Sequence, residues 1–138
     1  AIALSRRCTP CATSYRVGAV IVTRSGVRFT GYTHGTSPTH HAEQEAILKA
    51  TAAGADLHGA SIYSSMEPCS TRSSEPESCS ELILRHGFSR TVFALYEPSC
   101  FVCCEGAVRL RKGDVEVRVY PQVAGEVRAI NGHLGLHE

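Results

Sequence analysis

The 138-residue sequence is 43% hydrophobic, which suits one compact domain over residues 1–138 and leaves little room for a second. A formal net charge of +1 gives no electrostatic case for nucleic acid or another polyanion. No apolar run reaches the ~20 residues of a membrane span, and seven cysteines, an odd number, argue against a secreted disulfide scaffold and for a reducing cytoplasm.

Residues 17–22 form a short β-branched run that predicts a strand. Ser25-Gly26 then turns the chain into a second strand over 27–33, giving a hairpin. A Gly/Ser/Pro loop follows over 34–39. Across 41–53, Ala42, Ala46 and Ala50 recur four apart with Ile47 beside them, an apolar helical stripe ended by Gly54. Residues 60–66 predict a third strand, and the Ser/Pro/Glu-rich stretch 70–77 a loop. Ser78-Cys79-Ser80-Glu81 reads as a capping box that opens a helix running to Gly87. A fourth strand over 91–95, a helix over 101–112 closed by Gly113, and a fifth strand over 115–120 come next. A last helix begins near Pro121, a residue suited to a first helical turn. This order predicts an α/β fold: a three-layer α-β-α sandwich around a five-stranded mixed sheet. Strands three to five should be parallel, because helices long enough for crossovers separate them.

In open parallel sheets, sites form beyond the carboxyl ends of the strands, where helices begin. His41, Glu43, Cys69 and Cys79 all fall on that edge. Two cysteines and one histidine are a donor set that zinc favours, with a fourth position left for water. Glu43, two residues from His41, is placed to shuttle protons from that water. The bland alternative for His41 and Glu43 is helix capping, worth ~0.3–1 kcal/mol for an acid at a helix N-terminus; Cys69 and Cys79 on the same edge favour the metal reading. Zinc deaminases carry His-x-Glu followed by Pro-Cys-x-x-Cys. Here His41-Ala42-Glu43 and Pro68-Cys69 are present, but nine residues rather than two separate Cys69 from Cys79.

"RVGAVIV", "HAE", "MEPC", "SCSELILRHG", "TVFALYEP" and "VRLRKGDVEV" occur in this order along the chain. In them the sequence resembles the cytidine-deaminase-like superfamily, and within it the pyrimidine deaminase of riboflavin biosynthesis, whose lengthened loop between the two cysteines accounts for the spacing. The resemblance covers nearly the whole chain. It implies a zinc site of His41, Cys69 and Cys79, with Glu43 as proton shuttle, and a homo-oligomer. Departures cluster where base, ribose or phosphate would lie. Ser14-Tyr15 stands where that branch carries Asn-Pro, Glu97-Pro98-Ser99 where it carries Asp-Pro-Asn, and Glu45 where it often carries histidine. Ser14, His34, Ser65 and Glu97 are the candidate substrate contacts.

The expected function is therefore zinc-dependent hydrolytic deamination of a small amino-heterocycle, a pyrimidine or purine base, nucleoside or nucleotide, with release of ammonia. The alternative is a non-catalytic zinc module of the same fold that works by binding, in which Glu43 would have no task. Glu45 is expected either on the solvated helix surface or on the pocket wall. Cys8, Cys11, Cys100, Cys103 and Cys104 read as structural thiols, since buried free cysteine behaves as a small apolar residue.

Overall fold

The computed structural model describes residues 1–11, 13–70, 77–97 and 105–135. Strands β1 (Gly18–Val22) and β2 (Arg28–Tyr32) form the expected hairpin, antiparallel with Val20 opposite Thr30. β3 (Ser61–Met66) pairs antiparallel with β1, placing Ile21 opposite Ile62. β4 (Arg90–Leu95) and β5 (Glu116–Val119) then add in parallel, so the sheet order is β2-β1-β3-β4-β5. The mixed sheet with parallel strands three to five is thus as read from the spacing of the helices.

Helices α1 (Ile2–Ser5), α2 (Ala42–Ala52), α3 (Cys79–Arg85), α4 (Gly106–Lys112) and α5 (Ala124–Ile130) lie on both faces. On one face the Ala42, Ala46 and Ala50 stripe of α2 packs with Ala19, Ile21 and Ile62 of the sheet, beside Ile83 of α3 and Leu110 of α4. On the other, Ile2 of α1 and Val127 of α5 meet Tyr15, Met66 and Ala94. Cover on both faces explains why β4 is apolar almost throughout, with five successive buried residues. No helix among the described residues is long and apolar enough to cross a membrane.

Four details differ from the sequence reading. α1 has only four residues and no side-chain cap, so it left no periodic signal. α4 begins at Gly106 with Glu105 as its cap, and 101–104 of the longer expected helix lie outside the described residues. Gly113 does follow α4, but with φ −89, and the left-handed residue is Asp114 at φ 64. A side chain at Gly113 would meet the end of the Leu84 side chain, which would have to shift. The final helical segment starts as a 3-10 turn, Pro121–Val123, before α5.

Candidate active site

The carboxyl end of β3 and the N-termini of α2 and α3 meet at one point. His41 is the extended N-cap of α2, at φ −79 and ψ 163. Its Nδ1 lies 3.5 Å from Cys69 Sγ and 3.5 Å from Cys79 Sγ. The three donor atoms all lie within 4.8 Å of one another. Cys79 is the first residue of α3, whose cap is the expected one: Glu81 N–H donates to Ser78 Oγ at 3.1 Å. The Glu81 carboxylate itself sits 3.5 Å from the Arg109 guanidinium.

The short turn carrying Cys69 is held from several sides. Ser80 N–H donates to Cys69 O at 3.0 Å, the Ser80 hydroxyl to Pro68 O at 3.1 Å, and Glu105 N–H to Ser70 Oγ at 2.8 Å. Gly106 completes the support, since any side chain there would run into the Pro68 carbonyl oxygen. Backbone N–H of Cys79 donates to Cys69 Sγ at 3.2 Å. Hydrogen bonding from Cys79, followed by that from His41 and its positive charge, pushes the Cys69 thiol down to about 4 against the opposing effect of burial. Cys69 is therefore a thiolate at neutral pH, the form that binds metal. Two sulfurs and one imidazole nitrogen, converged and largely buried, fit zinc and, among the described residues, leave one tetrahedral position unfilled by a side chain.

Glu43 is not among those three donors. It is 4% exposed, and its Oε1 accepts the Ser64 hydroxyl proton at 2.6 Å. Ser64 was not singled out by the sequence reading; Ser65 was. Strand alternation separates the two. Ser65 is 1% exposed, and its hydroxyl accepts Gly18 N–H at 3.1 Å, which commits it to the sheet. Recognising Ser64 needs the β1–β3 register, which sets it opposite Ala19.

The remaining candidate contacts are His34, Ser14 and Glu97. His34, at φ 59, sits half-buried in the loop after β2. Burial, with the His41 charge adding, lowers its pKa below the ordinary value, so its ring is neutral at pH 7. Ser14 is half-buried, its N–H near Cys11 O at 3.5 Å. Glu97 N–H donates to Glu67 Oε1 at 3.1 Å. Glu45 does not lie on the solvated surface. It is 2% exposed, and its Oε2 accepts Tyr32 N–H at 3.1 Å, tying the end of β2 to α2 across Gly35. Cys8 and Cys11 are free thiols outside the cluster. Cys100, Cys103, Cys104 and most of the 70–77 loop lie outside the described residues.

Glu67, two residues before Cys69, was likewise missed. It is 6% exposed, and its second oxygen accepts Ala107 N–H at 2.9 Å, so one carboxylate joins the ends of β3 and β4 to the start of α4. Glu67→Ala strands the buried Ala107 amide and the part-buried Glu97 amide and is expected to lower stability by roughly 2–4 kcal/mol, on ~1–3 kcal/mol for each unmet group. Urea denaturation measures this; a midpoint equal to wild type would show that water replaces the carboxylate.

The family model for the cytidine and deoxycytidylate deaminase zinc-binding region matches residues 1–95. The diaminohydroxyphosphoribosylamino-pyrimidine deaminase of Schizosaccharomyces pombe is 40% identical over 115 residues, 82% of this chain and 28% of that protein. The chain thus spans less than a third of the length of that curated relative. The crystal structure of the diaminohydroxyphosphoribosylaminopyrimidine deaminase/5-amino-6-(5-phosphoribosylamino)uracil reductase of Thermotoga maritima superposes with a TM-score of 0.85 at 28% identity, covering 97% of this chain and 38% of that one. The Aspergillus oryzae Rib2 deaminase, solved in complex with DARIPP, shares the fold with a TM-score of 0.80 at 24% identity, over 99% of this chain and 87% of that one. A zinc-type donor set on this sheet, together with a family match over residues 1–95, places the chain in the cytidine and deoxycytidylate deaminase zinc-binding family.

Proposed function

We propose that this chain is a hydrolytic deaminase acting on an aminopyrimidine that carries a phosphoribosyl group. The observation that carries the reading is a buried carboxylate, Glu43, two residues from the histidine of a converged His/Cys/Cys donor set. The pyrimidine class is supported by the activities of the S. pombe and T. maritima proteins.

His41, Cys69 and Cys79 would hold zinc. When bound, zinc supplies Lewis acidity that brings the pKa of a coordinated water to about 7. Glu43 accepts a proton as water adds to the ring carbon bearing the amine. It then delivers that proton to the adjacent ring nitrogen and assists departure of the amine. Carbon exchanges its C–N bond for C=O, and the products are the oxo-heterocycle and ammonia. His34, Ser14 and Glu97 are assigned to the substrate-facing rim. A cytoplasmic homo-oligomer completes the proposal; the odd count of seven cysteines suits a reducing compartment.

Ammonia release tests this with zinc-quantified protein and a panel of diaminopyrimidine, cytosine, adenine and guanine compounds, each as base, nucleoside and nucleotide. Release from the phosphoribosylated diaminopyrimidine alone is the expected result. Release from a cytosine or purine compound instead would move the substrate class; stoichiometric zinc with no release from any would favour the binding-module alternative.

A further inference from the structure

Ser64 lies on β3 opposite Ala19 of β1 and beside Phe93 of β4. Both neighbours are buried and apolar, Ala19 at 0% and Phe93 at 1% exposure. A hydroxyl in such a layer is unfavourable unless it finds a partner. Its partner is Glu43 Oε1, at 2.6 Å, in the range of a charge-assisted O–H···O⁻ bond. Both residues are 4% exposed, so water does not compete freely for either end.

The backbone of Glu43 is fixed in the first turn of α2. Its side chain has three rotatable bonds, so the helix alone does not determine where the carboxylate lies. We propose that Ser64 is a positioning residue for Glu43: it holds Oε1 from the strand and leaves the second carboxylate oxygen to carry the proton between water and ring nitrogen. This rests on the deaminase reading above. The neighbouring serine shows that the arrangement is a matter of register, since Ser65 gives its oxygen to the sheet and has no part in it.

Ser64→Thr and Ser64→Val test the proposal as a pair. The two side chains have nearly the same shape, both are β-branched and suited to a strand, and only Thr keeps the hydroxyl. Thr is expected to retain most of kcat. Val should lose about tenfold to a hundredfold in kcat, the rate equivalent of one hydrogen bond to a charged group, with KM and zinc content near wild type. Ser64→Ala, which asks nothing of the packing, should follow Val. An independent readout is the carboxylate stretch of Glu43, isolated by infrared difference against Glu43→Gln: it should shift in Val and Ala and stay in place in Thr. Equal kcat and an unmoved band across Thr, Val and Ala would overturn the proposal. Should wild type release no ammonia from any compound, the deaminase reading fails by itself, and the infrared comparison still decides whether Ser64 holds Glu43.

Discussion

Glu43→Ala is expected to keep stoichiometric zinc and a wild-type fold while losing at least ~10²-fold in turnover, the low end for removal of a general acid/base. Retention of zinc follows from the donor set, which is complete without Glu43. Retention of fold follows from the apolar stripe of α2, which the change leaves intact: an acid at the helix start is worth ~0.3–1 kcal/mol, and the Ser64 hydroxyl left without its partner costs ~1–3 kcal/mol more. The activity loss is expected in kcat, because the proton moves only as the reaction proceeds. Glu43→Gln sharpens the test, since it keeps the shape and a polar oxygen near Ser64 but cannot accept the proton. Turnover within a few-fold of wild type in either variant would falsify the proton-shuttle role. Loss of zinc in both would instead make Glu43 a ligand, contrary to its position outside the three donors.

Features that depend on short stretches of chain were legible in the sequence. The hairpin needed only Ser25-Gly26 between β-branched runs, and the cap of α3 only Ser78 and Glu81. The strand read over 60–66 and the α3 cap place Cys69 just past one strand and Cys79 at the start of the next helix. Their convergence with His41 then follows from topology, because parallel strands put all helix starts on one edge. What stayed hidden depends on distant chain. Ser64 and Ser65 are adjacent and chemically alike, and only the pairing of β3 with β1 decides which meets Glu43. Glu45 reads either as a solvated-surface acid or as pocket wall; its burial depends on Gly31 and Gly35 making room from β2 and the loop after it. Glu67 gains its role from amides forty and thirty residues away in sequence. α1 was missed because four residues carry no period.

Cys79→Ser is expected to abolish both zinc retention and activity while leaving a folded protein. The sulfur is wholly buried and 3.5 Å from His41 Nδ1. A serine hydroxyl in its place is a harder and far less acidic donor, poorly matched to zinc. Loss of an outer-shell partner costs a metal site 10–100-fold, so loss of a direct ligand should exceed ~10²-fold in affinity. Fold survives because neither core depends on the metal: Ser78 still caps α3, and Leu82 and Ile83 still pack beneath it. This gives a thermal signature. Zinc at 100-fold over its dissociation constant stabilises the wild type by ~2.7 kcal/mol, or roughly 10 °C in Tm for a domain of this size. A chelator should therefore lower the wild-type Tm by about that amount and leave Cys79→Ser unmoved. Cys11→Ser, a thiol outside the cluster, should behave as wild type in zinc content, activity and chelator response. A Cys79→Ser protein that still held zinc would place the metal elsewhere. One that was unfolded would make the metal a staple of the fold, with its catalytic use then decided by Glu43→Ala alone.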